Sequence, residues 1–298
     1  MSPRRSGTRA LALLTSAVLL AAALSPAPAE AARQTLWRVE GGESTLYLLG
    51  SLHMLRAEYY PLPAPMEAAF ADAEVVVFET DLRALEGVEA RAEIITRAVL
   101  PAGERLSEQV SPQVRSRLDA YVERSGMPPE ALERLKPSMA AITIEVLELA
   151  RHGLDPGFGV DKHFDSRARA EGKRVVFLES VEFQLGMILD LTPAESEALL
   201  STTLDKVDDG EQALDGLLAA WRSGNTRALE ALVIEPMRES PALYARMITD
   251  RNARWIETFE ALLAGGDDAL AVVGAAHLVG EDSVVEMLRR RGYRVVQQ

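Results

Sequence analysis

Four short apolar runs in this chain each stop at, or just before, a side chain able to bind a metal or move a proton. Leu46 to Leu49 is followed by Gly50 and then His53, and Val75 to Phe78 ends at Glu79. Arg174 to Leu178 ends at Glu179, and Ala269 to Val273 is followed by Gly274 and then His277. Apolar runs this short, rich in β-branched residues and bounded by glycine or polar positions, read as buried strands. At least three of them are fed by helical patterns, the arrangement that builds parallel sheets covered on both faces. In such sheets a ligand site lies beyond the carboxyl ends of the strands. If the four strands share one sheet, two histidines and two glutamates meet at one edge. The fold class predicted is α/β, a mixed, largely parallel central sheet with helical insertions in a single domain.

The rest of the chain supplies the frame. TLWRVEGGESTLYLLG reads as a hairpin turning at Gly41-Gly42. A helix is expected from about Ala64 to Ala71, another ahead of a stop at Gly172, and a third from about Asp282 to Arg291 before a last strand. The stretches near 84–152 and 181–263 read as helical insertions. Ser111-Pro112 and Pro128-Pro129 serve as start signals, Gly126 as a stop, and breaks fall near Asp208-Gly210 and Gly224-Asn225.

The first 31 residues stand apart from any core. Arg4, Arg5 and Arg9 precede an apolar run from Ala10 to Leu24, then two prolines and Ala29-Glu30-Ala31. This is the pattern of a secretory signal peptide cut after Ala31, its apolar run shorter than the ~20 residues of a membrane-spanning helix. Residues 32–298 then form the mature domain, periplasmic or secreted, with no stable membrane insertion after cleavage. Loss of three arginines and Glu30 takes the net charge from −13 to −15. So acidic a chain repels phosphate backbones, which argues against nucleic-acid binding. With no cysteine in the chain, disulfides, thiol nucleophiles and zinc-thiolate sites are excluded.

The histidines are introduced in parallel, as Gly50-Ser51-Leu52-His53 and Gly274-Ala275-Ala276-His277. These two Gly-x-x-His motifs, Glu79 after its valine-rich strand, Gly159-Val160-Asp161, the segment from Gly172-Lys173 to Glu179 with Gln184, the pair Arg251-Asn252 and the ending GAAHLVGEDSVVEMLRRRGYRVV together resemble the TraB/PrgY/GumN family, whose animal relatives are the Tiki proteases. The resemblance spans roughly residues 35 to 296. It implies a mixed α/β fold and, from the Tiki branch, manganese- or cobalt-dependent peptide hydrolysis relying on the histidines matched by His53 and His277 and the glutamate matched by Glu79. The membrane anchor of the Tiki proteins has no counterpart here.

The residue types carry the same chemistry. Two imidazoles and a carboxylate form a three-ligand set suited to Mn²⁺, Fe²⁺, Co²⁺ or Zn²⁺, with positions left for water and substrate. Glu179 stands where a general base, a fourth ligand or a helix-capping acid would stand. Arg251 could stabilise an oxyanion or hold a substrate carboxylate, and Asn252 could orient either. His152 and His163 read as structural, Asp161 as a helix N-cap, and Asp205 to Glu211 as a solvated loop. The expectation is an exported metal-dependent hydrolase acting on peptide or amide bonds. The alternative is a non-catalytic periplasmic protein that binds a metal, a metal complex or a small signalling peptide in the same pocket.

Overall fold

All four residues of Val75–Phe78 are buried, as they must be in a strand whose sheet is covered on both faces. The structure, a computed structural model, describes residues 33–298, so the expected signal peptide lies outside the described residues. Six strands form one sheet, β1 (Leu36–Glu40), β2 (Leu46–Ser51), β3 (Val75–Phe78), β4 (Arg174–Phe177), β5 (Ala269–Gly274) and β6 (Arg294–Gln297). Their order is β4-β3-β5-β2-β1-β6. The first four in that order are parallel, and β1 pairs antiparallel with both β2 and β6. The sheet is therefore mixed and largely parallel, and residues 32–298 form one compact unit.

Register decides where the four strand ends lie. Ser51 sits beside Gly274, and Phe78 lies between Phe177 and Val272. Pairing continues one step further on one side, with the Glu179 N–H donating to the Glu79 carbonyl at 2.8 Å. The residues that follow these strands thus emerge at one edge.

Helices cover the faces and fill the two long intervals. They are α1 (Ala64–Asp72), α2 (Leu82–Leu85), α3 (Val88–Arg97), α4 (Pro112–Ser125), α5 (Pro137–Arg151), α6 (Val160–Ala170), α7 (Val181–Leu189) and α8 (Pro193–Arg222). Three short helices follow, α9 (Thr226–Leu229), α10 (Glu235–Arg238) and α11 (Pro241–Tyr244), then α12 (Asp250–Leu263) and α13 (Val284–Arg290). Among the described residues no helix is long and apolar enough to cross a membrane. Ser111 caps α4, Gly126 ends it with φ 71°, and Gly210 kinks α8 with φ 72°, each where the sequence places a signal. The insertions own a second core in which Leu106, Val114, Leu118 and Tyr121 pack with Ile144, Leu200 and Leu204.

Two local expectations fail. No helix starts at Pro128-Pro129, because the following segment pairs with residues 98–100: the Leu100 N–H donates to the Arg134 carbonyl at 2.8 Å and the Lys136 N–H to the Ala98 carbonyl at 2.8 Å. Helix α5 begins only at Pro137. The acidic stretch from Asp205 is helical rather than a loop, and Arg117 neutralises Asp205 at 2.7 Å and Asp208 at 3.1 Å from the facing α4.

The glycines that end β2 and β5 act through space rather than handedness, since neither has positive φ. A Cβ on Gly50 would stand 2.5 Å from Thr35 Cγ2 and 3.1 Å from Ala275 Cα. Gly50→Ala is therefore expected to lower unfolding stability by about 1–3 kcal/mol, the usual cost of overpacking, as read from a urea midpoint at unchanged slope.

Candidate active site

His53, Glu79, Glu179 and His277 follow β2, β3, β4 and β5, and α12 brings Arg251 and Asn252 against them. A π-helical turn, Ala245–Thr249, runs directly into α12. Arg251 is buried, and all five of its N–H donors are engaged. Its Nε donates to Glu179 Oε1 at 2.9 Å, and its Nη2 donates to Glu179 Oε2 at 2.9 Å and Glu79 Oε2 at 2.5 Å. Nη1 donates to the Met247 carbonyl at 3.3 Å and to His277 Nε2 at 3.0 Å. The guanidinium also lies over the Trp255 ring, 4.9 Å from its centroid.

Glu179 is equally saturated. Besides Arg251, its Oε1 accepts from Trp255 Nε1 at 3.0 Å and its Oε2 from Gln184 Nε2 at 3.0 Å. Gln184 bridges to Glu79 Oε2 at 3.1 Å, while Glu79 Oε1 accepts the Gly274 N–H at 2.7 Å. A Cβ on Gly274 would stand 3.2 Å from that oxygen, so any side chain there would have to push the Glu79 carboxylate by a few tenths of an ångström. Glu79 alone of the two glutamates keeps an unfilled acceptor position.

The hydrogen bonds assign the His277 tautomer. Asn252 Nδ2 donates to the Asp282 carbonyl at 2.8 Å, which turns Asn252 Oδ1 toward His277 Nδ1 at 2.7 Å. Nδ1 must then carry the proton and Nε2 the lone pair, because arginine can only donate. Burial first, then the charge of Arg251, hold His277 neutral and push its pKa down to about 3 against the opposing pull of Glu79. For Glu79, burial favours the neutral acid, but Arg251, His277, His53 and the Gly274 N–H outweigh it and hold the carboxyl well below its usual range.

His53 ends in different surroundings. Its side chain is 67% exposed, and Nδ1 pairs with Asp161 Oδ2 at 3.0 Å. The Asp161 charge is the chief cause of a pKa pushed up to about 9, with desolvation opposing and Glu79 assisting. Asp161 is not the expected N-cap: Gly159 holds that position, and a Cβ there would stand 2.4 Å from the His53 carbonyl oxygen. Sequence reasoning read Asp161 as an N-cap and gave Gln184 and Trp255 no role of their own in the site. The signal available for two of them was proximity in sequence, Gln184 to Glu179 and Trp255 to Arg251. His152 caps α5 and His163 lies on α6, both away from this cluster's hydrogen bonds.

The donor set suits a divalent transition metal in kind. Each imidazole commits Nδ1 to an oxygen acceptor and keeps Nε2 for another partner, the arrangement usual in metal-bound histidine, and Glu79 adds a carboxylate 4.0 Å from His277 Nε2. In the arrangement described, Arg251 is the cation that Glu79 and His277 hold, and His53 pairs instead with Asp161. Among the described residues no three His, Asp or Glu side chains are gathered tightly enough to bind an ion as they stand.

Removing that guanidinium would leave two buried carboxylates facing each other. Arg251→Met is expected to cost about 3–5 kcal/mol near neutrality, the penalty for breaking a buried ion pair from one side. In the native protein the depressed Glu79 pKa contributes stability above its ordinary value of 4.5 that is lost on acidification. In the variant the crowded carboxyls titrate upward, so acid relieves them. The gap between the two proteins, measured by chemical denaturation, should therefore narrow as pH falls toward 4.

Comparison with known proteins shows which sequences this chain resembles. The Escherichia coli K12 protein named "Uncharacterized protein YbaP" is 26% identical over 248 residues, which cover 83% of this chain and 89% of that protein. Its Shigella flexneri counterpart matches to the same extent. An uncharacterized protein of Treponema pallidum is 21% identical over 272 residues, covering 86% of this chain and 80% of its own. No solved structure matches. The sequence profile of the TraB/PrgY/gumN family matches residues 35–297, and the chain belongs to that family.

Proposed function

We propose that this protein is an exported metal-dependent hydrolase that cleaves peptide or amide bonds, with His53, Glu79 and His277 as its metal-binding set. The observation that supports the reading is that β2, β3 and β5 deliver these three residues at one sheet edge, with both imidazoles oriented through Nδ1, by Asp161 and Asn252 respectively. A divalent ion bound there, manganese or cobalt by family resemblance and zinc or iron by ligand type, would polarise a substrate carbonyl and acidify a water. Coordination through His277 Nε2 requires Arg251 Nη1 to release that lone pair. A guanidinium still anchored to Glu179 through Nε and Nη2 then has Nη1 donors for a substrate oxygen, the oxyanion role expected of Arg251. Glu179 is a positioning residue in this proposal, because its four hydrogen bonds leave no lone pair for a water. Asn252 fixes the tautomer of His277.

The locked half of the cluster also favours a second reading. With every Arg251 donor and Glu179 acceptor satisfied internally, the same cleft could bind a metal, a metal complex or a small signalling peptide without turnover. Activity separates the two. Purified mature protein, with and without Mn²⁺, would be offered a mixed peptide library and the products read by mass spectrometry. Metal-dependent cleavage supports the hydrolase, and metal binding with no cleavage of any peptide supports the binding protein.

Export and the metal set carry their own tests. The mature amino terminus, read by mass spectrometry of exported protein, is expected at or near Ala32. His53→Ala should abolish metal-dependent turnover and lower stability by about 1–3 kcal/mol, since it leaves the buried Asp161 carboxylate without its partner. His277→Ala should abolish turnover and also lower stability by about 1–3 kcal/mol, since it leaves Asn252 and Arg251 without a buried partner. Full metal-dependent activity in His53→Ala would end the proposal.

A further inference from the structure

The helices that complete the site also wall a cavity. Gln184 on α7 and Arg251 on α12 reach inward to Glu79 and Glu179. One turn along, Phe183, Gly186 and Met187 of α7 face Asp250 and Arg254 of α12, with Arg246 at the end, around a cavity of about 570 Å³. That volume is in the range that holds small ligands. Its walls adjoin the site covalently, since Ser180 follows Glu179 and Asp250 precedes Arg251.

The lining specifies a chemistry. Arg246 is committed to the carbonyls of Gly186 at 3.3 Å and Asp190 at 3.2 Å. Arg254 is not: among the described residues it makes no ion pair, and its guanidinium rests on the Phe183 ring, 4.5 Å from the centroid. Phe183 is 36% exposed and Met187 is buried beside it, an apolar floor beneath an uncommitted fork of donors. A guanidinium braced on an aromatic ring is well formed for bidentate carboxylate binding. The neighbouring Glu182 and Asp250 carboxylates would repel a multiply charged anion such as phosphate, yet can accept amide N–H groups. A single carboxylate flanked by amides and an apolar side chain answers all of these features.

We infer that this cavity is a recognition subsite for a short peptide bearing a carboxylate next to an apolar side chain. Arg254 takes the carboxylate, and Phe183 with Met187 takes the side chain. Its role as a substrate subsite rests on the hydrolase proposal, but its binding chemistry does not.

The test reads binding directly by ligand-observed NMR on the mature protein, in chelator-treated buffer so that peptides stay intact. The probes are acetyl-Ala-Ala-Phe with a free carboxyl terminus, the same peptide amidated, and acetyl-Ala-Glu-Phe-amide. The free acid should bind about tenfold more tightly than the amide, as one charge-assisted contact gives. Arg254→Gln should erase that difference, and Phe183→Ala should weaken both peptides; both residues are exposed, and unchanged melting curves would certify the fold. If the glutamyl peptide binds like the free acid, the subsite stands and reads a side-chain carboxylate; if like the amide, it stands and reads the terminus. Equal binding of acid and amide by the wild type, or a preference that survives Arg254→Gln, overturns the subsite. A retained acid preference without any cleavage in the library assay would remove the hydrolase reading and leave the subsite, and cleavage with equal affinities would do the reverse.

Discussion

The Arg251 guanidinium is the tie on which the sheet edge depends. Its five donors reach the ends of β3 and β4, the histidine turn after β5 and the π-helical turn ahead of α12. A buried arginine with even one unmet donor carries a desolvation cost of about 1–3 kcal/mol, and a full set avoids it. The geometry of the fork therefore specifies where each partner must sit, and a shift of any one strand end would strand a charge. Trp255 and Gln184 complete the arrangement by filling the acceptor positions of Glu179 that Arg251 leaves open.

Around that tie the site divides into a locked half and an open half. His277, Glu179, Arg251 and Asn252 are buried, mutually satisfied and fixed in tautomer. His53 is exposed and held by one carboxylate through Nδ1, and Glu79 lies at the boundary with one acceptor position unfilled. Rigid groups that hold their neighbours, beside an exposed imidazole that must give up a proton before Nε2 can bind an ion, make the open half the one that responds to pH. The parallel Gly-x-x-His motifs thus serve different ends: Gly50 lets Thr35 approach the strand closely, and Gly274 turns its N–H to Glu79.

How much of this was legible follows from what each residue depends on. The strand ends could be read because a run such as Val75–Phe78 has no polar face, so it must lie inside a covered sheet, and register among parallel strands then brings their ends together. Arg251 could be placed at the site but not at its centre, because its four partners, Glu79, Glu179, Met247 and His277, come from four separate segments that only packing brings within reach. Asp161 resembled an N-cap because an acid in a first turn usually serves the helix; here Gly159 caps, and its missing Cβ lets the His53 backbone approach. The Pro128-Pro129 signal failed for a similar reason, since long-range pairing of residues 134–136 with 98–100 overrides a local start. The acidic stretch after Asp205 was misread because its neutralising arginine lies on another helix.

The helical insertion from residue 181 to 263 is part of the site's electrostatics rather than an ornament on the sheet. Hydrogen bonding between the two segments continues past β3 and β4, from the Leu178 N–H to the Phe78 carbonyl and from the Glu179 N–H to the Glu79 carbonyl, which brings Glu79 and Glu179 together on adjacent backbones. Two carboxylates so placed cannot both stay ionised in a buried setting without a cation between them. The strands themselves offer only imidazoles and acids, so the cation has to come from elsewhere. In this structure α12 supplies it, as Arg251, and a divalent ion at the same edge would meet the same demand from solution. The site's need for positive charge is thus written into the strand register, and the guanidinium and the proposed metal are two answers to it that share Glu79 and the lone pair of His277.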